Sequence, residues 1–366
     1  MHNEVLRSAS EAVSVAQKLA ITIKLNDQRA WNDRARIEVI SRQQLWWTIY
    51  FLDRRIAQKS GISYHIRDTE FYVEEFKHPK PADESRTAEE AAYFPWSTRI
   101  YLQALIDLAR LWSHVWDSFF AIGATRKGDW MEVEIMDTQI LNTRRQLPDE
   151  LSWSTEKLFE YGLRGEAAPQ LRRRLQIATR IDLLRMIIRQ NPVRQTAFVP
   201  ETAYLCSRIA RETIHAHVAF MARYPCVRAV GYFTTTSMVE CVYHLVPVLH
   251  YSKNEEQAAC VKALNQAHGI LIQLSAKLNV AKRALKALRG VTSRWGTPRN
   301  TTTHEGATAV ESVVEAMEMS ESQMVDEDFT HFRMDPEQWV DMPGDLFGSP
   351  YEFGTGVLNS ATYSSV

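Results

Sequence analysis

Arg42-Gln43-Gln44-Leu45-Trp46-Trp47-Thr48-Ile49-Tyr50-Phe51-Leu52-Asp53-Arg54-Arg55 is the stretch that decides the fold of this chain. No glycine or proline interrupts residues 37–57. Trp46, Ile49, Tyr50, Asp53 and Ala57 follow helical spacing and share one face. Ile40, Trp47, Phe51 and Leu52 carry apolar surface well beyond that face. A helix apolar on nearly every side belongs inside a helical core. Asp53 is the anomaly, because a carboxylate on a buried face needs a partner. Arg42, Arg54 and Arg55 are the cations within reach along the chain.

Helical periodicity recurs outward from this stretch. It predicts helices over 4–25, 93–121, 131–145, 171–190, 200–222 and 227–251. A last long helix is expected over 254–289. Residues 77–92, charged and bearing Pro79 and Pro81, read as a surface loop. Alternating strand patterns do not appear, so the fold class is all-α. In the last helix Leu264, Leu271, Leu278 and Leu285 recur every seven residues. Ala267, Leu274, Ala281 and Leu288 follow three positions on, which makes a two-track seam. The seam serves packing within the chain; homodimerisation is its alternative use.

The 366 residues are 45% hydrophobic and 24% charged, enough for a large core. The formal net charge of −1 hides a strong asymmetry. Thirteen acidic residues and one basic residue, Arg333, follow residue 300. The preceding body therefore carries the compensating excess of cations, the pattern of a folded body with an interaction tail. Cys206, Cys226, Cys241 and Cys260 are far apart, with no CxxC, and read as buried reduced thiols. The N-terminus shows no secretory signal pattern. Val227 to Tyr251 contains Arg228, Glu240, His244 and Pro247, which suits a buried helix and not a membrane span.

Catalytic signatures are missing. No nucleophile elbow, phosphate-binding loop, dinucleotide fingerprint or zinc-protease motif occurs. His215 and His217 are two apart on a helix, so they point in different directions and cannot share a metal. His244 and His250 read as satisfied core histidines. Arg172-Arg173-Arg174 is expected on the solvated face of its helix.

The central stretch resembles the signature helix of the fungal-specific transcription factor domain. That domain is the regulatory middle homology region of fungal zinc binuclear cluster factors. Its pattern, roughly R-x-x-L-W-W-x-x-Y-x-L-D-R, is matched by Arg42, Leu45, Trp46, Trp47, Tyr50, Leu52, Asp53 and Arg54. Leu147-Pro148 with Leu151 and Trp153 resembles a further family segment. So do the helix end at Leu183 to Pro192 and the closing helix at Ala281-Lys282-Arg283-Ala284-Leu285. The resemblance extends over residues 5–292. It implies a single large multi-helix regulatory domain over 1–292, with a disordered acidic tail over 293–366. It also implies a nuclear role in transcription regulation and no enzymatic activity. A non-catalytic helical scaffold of a chromatin- or chromosome-associated complex is the alternative. The family's zinc reader is a six-cysteine cluster, and this sequence has none. No cofactor is therefore expected in the chain, and DNA contact is expected to be weak or indirect. In the tail, Phe329, Trp339, Phe347 and Tyr351 stand among acids such as Asp328, Glu337 and Asp345. That mixture is expected to contact coactivator proteins as an activation segment. No membrane partner is expected.

Overall fold

The computed structural model describes residues 2–31, 34–76, 87–124, 130–156, 158, 168–189, 200–224, 228–252 and 255–295. Within them the helices are α1 (His2–Thr22), α2 (Arg36–Ser60), α3 (Ala88–Tyr93), α4 (Trp96–Val115) and α5 (Trp130–Arg145). Then come α6 (Ala168–Ile187), α7 (Pro200–Arg223), α8 (Arg228–Tyr251), α9 (Glu255–Ser275), α10 (Asn279–Ala287) and α11 (Arg289–Trp295). A π-helical turn, Trp116–Phe120, extends α4. Among the described residues there is no strand, only an isolated bridge between Asp27 and Tyr72. The chain is all-α, as its periodicity implied.

α2 ends where the sequence ends it. Gly61 takes the left-handed conformation at φ 63°, which glycine adopts without a Cβ penalty. Its N–H and that of Ile62 both return to the Ala57 carbonyl.

The buried residues form two hydrophobic cores. The first gathers α1, α2, α4 and α5, including Trp46, Trp47, Leu105 and Trp112. The second gathers α7 to α11, including Ile214, Phe220, Leu245 and Leu271. α6 belongs to both. Ile177, Ile181, Leu184 and Ile188, at helical spacing, enter the first core. Leu171, Leu175, Leu183 and Met186 enter the second. α6 thus buries an apolar face in each core and carries its arginines and Asp182 between those faces.

Three expectations are corrected. Residues 88–93 are helical, as α3, where a loop was expected. The last long helix is broken: α9 stops at Ser275, and α10 starts at Asn279 and folds back along it. The leucine seam thus closes on itself, with Leu264, Leu271, Leu274, Ala281 and Leu288 all in the second core. Arg172, Arg173 and Arg174 are buried, not solvated. Arg173 hydrogen-bonds Ser97 Oγ at 3.3 Å and lies over the Tyr101 ring. Arg174 donates to the carbonyls of Asp149 and Ser152, tying α6 to the turn Asp149–Leu151.

α11 continues to Trp295, three residues past the expected boundary at 292, and buries Val291. Residues 296–366, with Phe329, Trp339, Phe347 and Tyr351, lie outside the described residues, as does Cys226. No helix of the described residues is long and apolar enough to cross a membrane.

Candidate regulatory core around the signature helix

α2 presents its aromatic residues to the segment that follows it. Trp46, Trp47 and Tyr50 meet the ring of Phe71 at centroid distances of 5.2, 5.5 and 5.6 Å. Tilted and edge-on approaches of this kind are the favoured aromatic geometry. Trp47 Nε1 also donates to the Glu74 carbonyl at 3.0 Å. One turn further along, Asp53 is buried, and its carboxylate reaches across to the same segment. It accepts the backbone N–H of His65 at 3.0 Å and that of Ile66 at 2.9 Å. His65 Nδ1 lies 3.0 Å from Asp53 Oδ1.

Arg54 completes the cluster. Its side chain is 1% exposed, and each guanidinium nitrogen has a partner. Nη1 donates to Asp53 at 3.0 Å, Nη2 to Asp68 at 2.8 Å, and Nε to Ser113 of α4 at 3.2 Å. Its plane sits over the Tyr50 ring at 3.6 Å and the Tyr64 ring at 4.5 Å. A charge-assisted, fully partnered guanidinium is the condition under which a buried cation is tolerated. Tyr50 donates to Asp68 at 2.8 Å, and burial raises its phenol above the usual range. Burial and the bond to Asp117 push the Tyr64 phenol up to about 12.

Trp46, Trp47, Tyr50, Asp53 and Arg54 therefore form one device, a clamp on residues 61–76. Asp53 pairs with Arg54 and not with Arg42. Arg42 pairs with Glu38 at 3.0 Å and lies over the Trp31 ring. Leu45 faces outward, 41% exposed, away from the clamp. Sequence reasoning missed Asp68, Tyr64 and Ser113. An acid and a tyrosine shortly after the helix end were the only signal, and that is a weak one.

A second polar layer lies along α6, between the cores. Arg180 sits over Phe51 of α2 and Phe233 of α8, at 5.2 Å from each ring. Lys59 of α2 pairs with Glu240 of α8. Arg185 and Arg189 hold Asp137 of α5 at 2.8 and 3.0 Å. Burial alone would raise the Asp137 carboxyl, but those hydrogen bonds outweigh it and hold it below the usual range. Asp182 accepts from Arg144 at 2.9 Å. Burial pushes its carboxyl up to about 6, against the pull of Arg144 and Arg185.

His217, His244 and the thiols fit a structural role, whereas His250, expected as a satisfied core histidine, is half-buried and its Nε2 finds no hydrogen-bond partner among the described residues. His217 is fully buried between Thr179 and Thr234, at 3.1 and 3.2 Å. Burial pulls it down to about 3, and His244 to about 4. Cys206, Cys241 and Cys260 are free and buried. Burial pushes Cys206 up to about 11, which suppresses thiolate chemistry. Among the described residues no three His, Cys, Asp or Glu side chains are grouped to hold a metal ion.

Neither a curated protein nor a solved structure matches the chain. A family model does, that of the fungal specific transcription factor domain, over residues 5–151. The match takes in α1 to α5 and the whole clamp, and ends at Leu151, short of the 292 expected from the sequence. Residues 5–151 of this chain are thus similar to the fungal specific transcription factor domain.

Proposed function

We propose that this chain is the regulatory region of a fungal transcription factor, acting in the nucleus on transcription by RNA polymerase II through protein contacts. The observation that carries the reading is the family match over residues 5–151, which includes the clamp that α2 makes with residues 61–76. The reading assigns the chain no catalytic step and no cofactor of its own. Zinc belongs, by the family pattern, to a six-cysteine reader, and the four cysteines of this sequence are not clustered. Output is assigned to the acidic-aromatic tail. Phe329, Trp339, Phe347 and Tyr351 supply apolar anchors for a coactivator groove, and the surrounding acids keep them solvated.

The test fuses the full chain to a heterologous DNA-binding domain and reads a reporter gene. Activation is expected, with loss of most output when Trp339, Phe347 and Tyr351 are replaced by alanine. A silent fusion, or activation that survives removal of all three aromatics, rejects the activation reading. A silent fusion that still co-purifies with chromosome-bound assemblies returns the scaffold reading.

A further inference from the structure

From Gln257 to His304 the sequence contains no acidic residue. Lys262, Lys277, Lys282, Arg283, Lys286, Arg289, Arg294 and Arg299 all fall within that span. The structure concentrates much of this charge on one surface. α10 buries Ala281 and Ala284 against the second core, and Leu288 follows them in. Lys282, Lys286 and Arg289 are left on the outer side at i, i+4 and i+7, and are exposed. Lys277 is exposed in the turn before α10, and Arg283 flanks the row. Several cations elsewhere on the body are paired with acids, as Arg42 is with Glu38, Arg110 with Glu75 and Arg211 with Glu256. None of these five makes an ion pair among the described residues. The elements packed against them have no acid to offer. The one acid of α8, Glu240, is held by Lys59, and Glu255 and Glu256 sit in the first turn of α9.

We propose that the α10–α11 face is a contact surface for the phosphate backbone of duplex DNA. Three points favour that partner. Lys282 to Arg289 spans about 10 Å of helix, the reach of about three phosphates of one strand. The face is purely cationic, with no large apolar side chain exposed between residues 276 and 295. An acidic-aromatic protein segment, such as this chain's own tail, would find no cover there for its rings. Backbone contacts of this kind position a protein without reading sequence. The inference stands apart from the activation reading and does not depend on it.

The test measures binding of the full chain to two fluorescein-labelled duplexes of unrelated sequence by anisotropy, across a salt series. Equal affinity for both is expected, falling steeply with salt. Lys282→Gln/Lys286→Gln/Arg289→Gln should flatten the slope of log K against log salt by about three. A control, Lys18→Gln/Arg67→Gln/Arg145→Gln, removes the same charge from exposed positions in α1, the 61–76 segment and α5, and should leave the slope near that of the wild type. Circular dichroism verifies that both variants keep their helices. Equal loss in the two variants, or no binding at about 50 mM salt, overturns the proposal. So does a wild type that binds only after Asp326→Asn/Glu327→Gln/Asp328→Asn, since the occupant is then the acidic tail.

Discussion

Asp53 shows what a single buried carboxylate does in this chain. It receives four hydrogen bonds, from Arg54, from the His65 ring and from two backbone amides. Removing it leaves Arg54 with Asp68 and Ser113 alone and unpairs the His65 and Ile66 amides at once. Asp53→Ala should therefore cost roughly 3–5 kcal/mol in urea unfolding. Wild-type stability in that variant would mean that the clamp carries no weight. The buried histidines make a second prediction at this scale. His217 and His244 titrate near 3 and 4 in the folded chain, below the usual histidine value of 6.5. As pH falls below 6.5, the unfolded chain takes up protons that the folded chain refuses, so stability is lost. Asp182, raised to about 6, works the other way, and its protonation stabilises the fold as pH falls from 6. Between about pH 6 and 4 the histidine losses, to which His250 adds, outweigh the one gain, so stability falls with pH. Asp182→Asn removes the gain, so the fall in stability across that window should steepen in pH-dependent denaturation curves.

The elements themselves were largely legible, and the failures have identifiable causes. α2 announced both its burial and its glycine stop. α5, α7 and α8 lie within a residue or two of their periodic patterns. The break between α9 and α10 was hidden because residues 276–278 contain no glycine or proline. Leu278 occupies the N-cap of α10 with no side-chain cap bond. Tertiary packing sets the break: Leu278 folds against α8 at Gly231, where an added Cβ would overlap its Cδ1. Gly231→Ala should thus destabilise by no more than about 1 kcal/mol, because the leucine side-chain end can shift and alanine's helix propensity offsets part of the crowding. A double-mutant cycle with Leu278→Ala should recover part of that loss, because the two share one space. Additive effects would place the strain elsewhere. The arginine run on α6 misled for a related reason. Charge predicts solvent exposure only while no carbonyls or rings wait inside, and Asp149, Ser152 and Tyr101 do wait there. At the site, the Asp53–Arg54 pair was visible because both partners lie in one helix. Asp68 and Ser113 were not, since nothing local ties them to Arg54.

At the scale of the molecule, the family match and the packing draw different boundaries. The match ends at Leu151. The first core does not, since Ile177, Ile181 and Leu184 of α6, and Ile188 just past its end, belong to it. A polypeptide stopped at residue 151 would leave their sites open to water. The Asp137 carboxylate would also lose Arg185 and Arg189. Such a fragment should bind a hydrophobic dye and lack a sharp thermal transition, whereas residues 1–295 should melt cleanly. A cooperatively melting 1–151 fragment would show that α6 is dispensable to the first core.

α6 also governs how the molecule comes apart. Two cores served by separate helices would melt as two events, each with its own enthalpy. Here one helix lends a face to each, so neither core can lose it without exposing the other. The expected thermogram is a single peak whose calorimetric enthalpy equals the van't Hoff value. A load applied to either end of the chain would then be felt across the whole body, which yields as one piece or not at all.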